Sequence, residues 1–133
     1  MSEGKKIKVV LLEPGKLART AEIGTSIEDL QNAVDGLIEP FYPFEEQVCI
    51  VCNDEGKING MRPNRSVKNK DGVMVDFIFG PAFICYCRGE SFDSLSDEQI
   101  ARYTKMFRYP EHLARLNGKL IGIPFNPQRE HER

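Results

Sequence analysis

The sequence predicts an α+β domain in which an antiparallel or mixed sheet carries two main helices, packed as a single pair of layers. Short apolar runs of strand length are interspersed with two segments of helical periodicity. Their order is strands, helix, strands, helix, which favours helices on one side of a sheet. The chain has 133 residues, a length that suits one core. We therefore expect a single domain over residues 1–133, with an ordered core at about 6–116 and a polar C-terminal tail.

The N-terminal part is predicted to form a hairpin followed by a helix. Ile7–Leu12 is rich in β-branched and apolar residues, Pro14-Gly15 supplies a turn, and the residues after it partly alternate. Thr25 stands three residues before Glu28, which is the spacing of a capping box. A helix of two or three turns is expected to end near Gly36.

Further strands are predicted in the middle of the chain. Leu37–Phe44 contains two prolines, so it can be a strand only at an edge or with a kink. Gln47–Cys52 is short and uninterrupted. Val73–Arg88 is the most apolar stretch, and Gly80-Pro81 should break it into two strands, or a strand and a bend, of the central sheet.

The second helix has the clearest signals. Ser96 lies three residues before Gln99, again the spacing of a capping box, and apolar side chains around Tyr103 line one face until Pro110 blocks extension. Beyond this helix the chain mixes glycine, proline and charge, and Gln128–Arg133 is predicted to be a frayed tail.

A basic segment at residues 53–70, predicted to be a long loop, is the main functional signal. Residues 56–70 hold five cations and no carboxylate, although the net charge of the chain is −2. Long loops without secondary structure are often functional, and a guanidinium group can bind a phosphate or carboxylate in bidentate fashion. The alternative is a solvated loop that only adds solubility. The predicted ligand contacts are Asn53, Lys57, Asn59, Arg62, Asn64 and Arg65.

The cysteines are predicted to be reduced core residues of a cytoplasmic protein. They lie in apolar surroundings, and the N-terminus lacks the apolar stretch of a secretion signal. A zinc site is the alternative, but positions 49 and 52 of a strand point to opposite faces. We therefore predict no metal, no cofactor and, since every apolar run is short, no membrane span. The four cysteines are Cys49, Cys52, Cys85 and Cys87.

No catalytic motif of a serine hydrolase, a nucleotide hydrolase or a zinc protease is present. The function is therefore unknown, and three interpretations stay open. The first is binding of a nucleotide, a nucleic acid or an acidic host protein through the basic loop. The second is an interaction module or homo-oligomer that uses apolar surface such as Phe41–Phe44. The third is a small enzyme whose residues are assembled by the fold.

Short motifs are spread over most of the chain: Ile7-Lys8-Val9-Val10, Glu13-Pro14-Gly15, Ser26–Leu30, Ile38-Glu39, Tyr42-Pro43-Phe44, Asn53–Lys57, Asn59-Gly60, Asn64-Arg65 and Ser94–Glu98. Together they resemble domain of unknown function 3846, a family found mainly in phages and conjugative elements of bacteria. The resemblance extends from about residue 7 to about residue 112. It implies an accessory protein of a mobile element, and it supplies no activity and no catalytic residues.

Overall fold

The computed structural model describes residues 5–130, which form ten strands and three helices. In chain order these are β1 (Lys6–Leu12), β2 (Arg19–Gly24), α1 (Ile27–Val34), β3 (Ile38–Phe41), β4 (Val48–Asn53), β5 (Pro63–Lys68), β6 (Met74–Phe79), β7 (Ala82–Arg88), β8 (Ser91–Asp93), α2 (Asp97–Met106), β9 (Glu111–Leu116), β10 (Lys119–Pro124) and α3 (Pro127–Glu130).

A six-stranded antiparallel sheet forms the centre of the fold. Its strand order is β2-β1-β7-β4-β3, and the short β8 pairs with β7. Successive side chains of a strand point to opposite faces of the sheet. The inner strands have apolar residues at consecutive positions, so they are apolar on both faces. On β4, for example, Val48 and Ile50 face one side, and Cys49 and Val51 face the other. The central strands are therefore buried on both faces.

Different elements cover the two faces of this sheet. Helix α1 packs Leu30 and Val34 against the face that carries Cys49. Helix α2 packs Tyr103 on the opposite face, and the β5–β6 hairpin adds Val67 to the same cluster. This second face, where helix and hairpin lie side by side, is the one that carries the candidate site.

The predicted α+β fold, with two main helices on one sheet in a single layer pair, is wrong. The chain is mostly β, with three antiparallel sheets, and its helices have only eight, ten and four residues. Helices α1 and α2 also lie on opposite faces of the central sheet. Strand β5 was missed because its buried positions include Asn64, Arg65 and Ser66, whose polarity hides the apolar pattern of a buried strand.

The chain after Leu116, predicted to be a polar tail, continues as strand β10 and helix α3. Strand β10 pairs with β9 through a two-residue turn, Asn117-Gly118, in which both residues have positive φ (52° and 80°). Asn-Gly is the preferred sequence for such a turn. The sequence therefore contains a signal for this hairpin, although the hairpin was not predicted. Residues 131–133 of the predicted frayed tail lie outside the described residues.

Several predicted elements are confirmed. Strands β1 and β2 form an antiparallel hairpin, and β3, which contains Pro40, lies at the edge of the central sheet. Gly80-Pro81 separates β6 from β7, although β6 pairs with β5 rather than joining the central sheet. Helix α1 forms where it is predicted, but the predicted capping box of Thr25 and Glu28 is wrong: the N-cap is Ser26, whose side chain accepts a hydrogen bond from Asp29 N.

The expectation that all cysteines are reduced is wrong for one pair. Cys49 and Cys87 form a disulfide across β4 and β7. The register explains it, since Cys49 is paired with Cys85, and Cys87 is the next residue on the same face. Cys52 faces the opposite side of the sheet, as the alternation of the strand predicts.

Candidate functional site

A cleft of about 970 Å³ opens between α2 and the β5–β6 hairpin. Its walls are formed by residues 43–46, residues 66–72 and residues 102–107, together with Glu111 at the start of β9. The segments come from distant parts of the chain and meet because helix and hairpin pack on the same face of the central sheet. The volume lies at the upper end of the range of about 300–1,000 Å³ that ligand pockets occupy.

Aromatic and apolar side chains form one wall of the cleft. The ring of Phe44 lies 4.7 Å from that of Tyr103 and 6.2 Å from that of Phe107, measured between centroids. Met106 is exposed at the same wall. Positions 103, 106 and 107 share one face of α2, so the helix presents a continuous apolar surface.

A hydrogen-bonded carboxylate stands beside the aromatic wall. Glu46 accepts hydrogen bonds from the Tyr103 hydroxyl, from Arg102 Nη1 at 2.6 Å and from Gln99 Nε2 at 2.8 Å. Burial alone would raise the pKa of Glu46, but the hydrogen bonds from Tyr103 and Gln99 and the charge of Arg102 outweigh it, so the pKa lies below its ordinary value. Glu46 is therefore ionised at neutral pH.

The opposite wall is basic and comes from β5 and the turn after it. Ser66 and Lys68 lie two residues apart and share one side of β5. Lys70 follows in a turn that is fixed by Asn69, whose side-chain oxygen accepts from Asp71 N and Val73 N. Both lysines are exposed, and Lys70 makes only a long ion pair of 3.9 Å with Glu45.

Ser66 is the most buried polar side chain of this wall, with 5% of the residue exposed. Its hydroxyl has no hydrogen-bond partner within the described part of the chain. Its backbone N donates to Glu111 Oε1 at 3.0 Å. A side chain at Gly122 would collide with that carboxylate oxygen, so the glycine on β10 makes room for Glu111 to reach β5.

Three of the six predicted ligand contacts are used inside the fold. Arg65 is fully buried, and its guanidinium donates to the backbone carbonyls of Phe107 (2.7 Å), Lys16 (2.6 Å), Glu13 (3.2 Å) and Arg108 (3.4 Å). Burial lowers the pKa of Arg65 to about 10, which leaves it charged at neutral pH. It therefore cannot face a ligand in this structure.

The two asparagines play the same kind of role. Asn64 is fully buried and donates through Nδ2 to Leu12 O and Gly80 O, at 2.8 and 2.9 Å. Asn53 donates to Val34 O and Asp35 O, where it satisfies carbonyls at the end of α1. Both amides are held by backbone groups rather than directed outward.

The other three predicted contacts are exposed. Lys57 pairs with Asp76 at 2.8 Å, and Asn59 lies in the exposed turn between β4 and β5. Arg62 lines a smaller depression of about 180 Å³ near Gly15 and His112. The six residues therefore do not converge on one outward cluster, and none of them lines the large cleft.

The residues that line the cleft were not selected from the sequence as a site. Glu46 and Tyr103 are 57 residues apart and carry no motif. Ser66 and Lys68 could have been noticed by their alternation, had β5 been recognised as a strand. Phe41 and Phe44, considered as an exposed aromatic surface, pack against the core instead, whereas Tyr42 is exposed.

The chain is a β-rich domain, with helices on both faces of a central antiparallel sheet and a mixed-charge cleft on one of these faces. The chain belongs to the family described as Domain of unknown function (DUF3846), which matches residues 7–108. The family predicted from the short motifs is thus confirmed, and it has no assigned activity. No curated protein and no solved structure matches the chain.

The family match ends before β9, so Glu111 and the β9–β10 hairpin lie beyond it. None of the helices formed by residues 5–130 has the length and apolar character that crossing a membrane requires.

Proposed function

We propose that the chain binds a nucleotide in the cleft between α2 and the β5–β6 hairpin. The observation that carries the proposal is the Ser66 hydroxyl, which lines the cleft, is buried and has no partner in the described chain. A buried hydroxyl without a hydrogen bond costs about 1–3 kcal/mol. A polar ligand bound in the cleft would offset that cost by hydrogen bonding to the hydroxyl.

The two walls suit the two halves of a nucleotide. A flat base can pack on the half-buried ring of Phe44 and on the exposed Met106 side chain, since stacking on an aromatic side chain contributes about 1–3 kcal/mol per base. A phosphate can meet the ammonium groups of Lys68 and Lys70. The ion pair between Lys70 and Glu45 is long and exposed, so exchanging it for a phosphate loses little.

The carboxylates explain why a purely anionic ligand fits less well. Glu46 and Glu111 lie in the same cleft as the lysines. They would repel a ligand that is negative throughout, but they can accept hydrogen bonds from the amino groups of a base. A nucleotide, negative at one end and rich in hydrogen-bond donors at the other, matches this distribution of charge.

Among the partners considered from the sequence, a nucleotide suits the cleft better than a nucleic acid or an acidic protein. A concave cleft of about 970 Å³ has room for a small molecule. A protein partner would need roughly 800 Å² of surface on each side. The phage or conjugative-element setting belongs to the proposal as well and rests on the family resemblance. A cytoplasmic location also stays part of the proposal.

Calorimetric titration with a panel of nucleoside mono-, di- and triphosphates tests the proposal. We expect binding of at least one of them, weakening as salt rises because the lysine contacts are screened. Replacing Lys68 and Lys70 together by alanine should weaken binding about tenfold or more, since hydrogen bonds to charged groups contribute about 1.5–3 kcal/mol each.

The matched control is the double replacement of Lys105 and Lys119 by alanine. It removes the same charge from exposed positions outside the cleft. We expect it to leave the affinity within about twofold. The proposal is rejected if no nucleotide binds at low salt, or if both double variants weaken binding equally.

A further inference from the structure

Three cysteine sulfur atoms meet on the α1 face of the central sheet. The cleft lies on the opposite face, so the two features are independent. Cys49 on β4 is paired with Cys85 on β7, and Cys87 is the next residue on that face of β7. The three Sγ atoms all lie within 4.8 Å of one another, and those of Cys49 and Cys85 are 3.8 Å apart. A disulfide needs only two of them, so the third sulfur has no role in that bond.

The surroundings of the three sulfurs are apolar. The three cysteines share one buried apolar cluster with Leu30 and Val34 of α1 and with Val9 and Phe83. Within residues 5–130, no histidine, carboxylate or further cysteine joins the three as a ligand.

Two properties therefore select the ligand: it must accept three sulfur atoms without a fourth donor, and its complex must be close to neutral. Zinc takes four ligands in closed protein sites, and three thiolates around it leave a net negative charge. Copper(I) bound by three thiolates would have a larger net negative charge than zinc. Trivalent arsenic bonds to three thiolate sulfurs in a neutral pyramid, and burial of a neutral complex in an apolar cluster is not penalised.

We propose that the reduced Cys49, Cys85 and Cys87 side chains form a binding site for trivalent arsenic, a thiophilic metalloid of three-sulfur coordination. Opening the site takes two electrons and two protons from a dithiol reductant, which becomes a disulfide while Cys49 and Cys87 become thiols. Arsenous acid then exchanges its three hydroxyl groups for three sulfurs. Three As–S bonds replace three As–O bonds, the three thiol protons leave in three water molecules, and arsenic keeps its oxidation state.

The test uses the full chain reduced with a phosphine, which does not offer thiols to arsenic. Four free thiols should be counted after reduction, and titration with arsenite should give one arsenic per chain by native mass spectrometry. X-ray absorption at the arsenic edge should then show three sulfur neighbours and no oxygen. This measurement needs no variant, so it decides the matter even where a substituted chain fails to fold.

Cysteine variants provide the matched comparison. Cys85→Ala should lower the affinity for arsenite at least about tenfold, because one As–S bond is lost. Cys52→Ala should leave it unchanged, because Cys52 lies on the opposite face of the sheet. Circular dichroism confirms that both variants remain folded.

Four results would overturn the proposal. They are fewer than three sulfur neighbours of arsenic, equal affinity of Cys85→Ala and Cys52→Ala, displacement of arsenite by an equal concentration of Zn²⁺, and a disulfide that the phosphine cannot reduce in the folded chain.

Discussion

Arg65 shows how a charged residue can serve the architecture instead of a ligand. Its guanidinium joins β5 to the turn between β1 and β2, through Glu13 O and Lys16 O, and to the end of α2, through Phe107 O. The carbonyls at a helix end need donors, and the five N–H groups of arginine can reach several at once. The Asn64-Arg65 pair is therefore explained by packing inside the fold.

Replacing Arg65 should destabilise the chain strongly. We expect Arg65→Met to lower the free energy of unfolding by roughly 3–5 kcal/mol, because it leaves several buried carbonyls without donors. Arg65→Lys keeps the charge but not the planar array of donors, so it should still cost about 2 kcal/mol. Urea unfolding measures both.

The neighbouring Arg62 provides the control, because it is exposed and makes no ion pair among residues 5–130. Arg62→Lys should change stability by less than about 0.5 kcal/mol. Equal effects of the two Arg→Lys changes would contradict the internal role of Arg65.

This distinction could not be made from the sequence. Arg62 and Arg65 lie in the same basic segment, and residue type alone does not say which guanidinium turns inward. The position of each residue relative to strand β5 determines which guanidinium is buried. The strand is hard to recognise in the sequence because its buried positions are polar. The composition of the segment correctly indicates its positive charge, but the predicted site combines three internal residues with three exposed ones.

At the scale of elements, the sequence predicts helix α2 reliably where the signal is a local hydrogen-bonding motif at the helix end. The capping box of α2 is confirmed, since the Ser96 side chain accepts from Gln99 N and the Gln99 side chain accepts from Ser96 N. Apolar strands such as β1 and β4 were also found. What the sequence did not reveal is which strands share a sheet, because the pairing of β5 with β6 depends on contacts between whole elements.

Removing the cap should loosen α2 measurably. We expect Ser96→Ala to lower the free energy of unfolding by about 1 kcal/mol, because the first turn loses a hydrogen-bond acceptor. Ser91→Ala, at an exposed position of β8, should have an effect below about 0.5 kcal/mol. Thermal unfolding compares the two, and equal shifts would show that the cap contributes nothing.

At the scale of the whole molecule, Glu46 joins the segment before β4 to helix α2. Its pKa is lowered in the folded chain, so the unfolded chain binds more protons as the pH falls. The stability that this carboxylate contributes is therefore present above the ordinary glutamate pKa of about 4.3 and is lost as the pH falls through the lowered value. Hydrogen bonds to the charged form are the cause.

The pH dependence can be isolated with one substitution. Glu46→Gln should cost roughly 1–2 kcal/mol at about pH 7, near the lower end because a third of the side chain is exposed. The difference between the two chains should shrink as the pH is lowered to about 3. A difference that stays constant over this range would contradict the role of the ionised carboxylate; the exposed Glu45→Gln should cost below about 0.5 kcal/mol.

The central claim, that a nucleotide occupies the cleft between α2 and the β5–β6 hairpin, is tested most directly by nuclear magnetic resonance of the backbone amides. On addition of a nucleotide, we predict shifts gathered in residues 43–46, 66–72 and 102–107, while the β9–β10 turn stays unchanged. Shifts that gather at residues 57–62 instead, or no shifts at all, would contradict the claim.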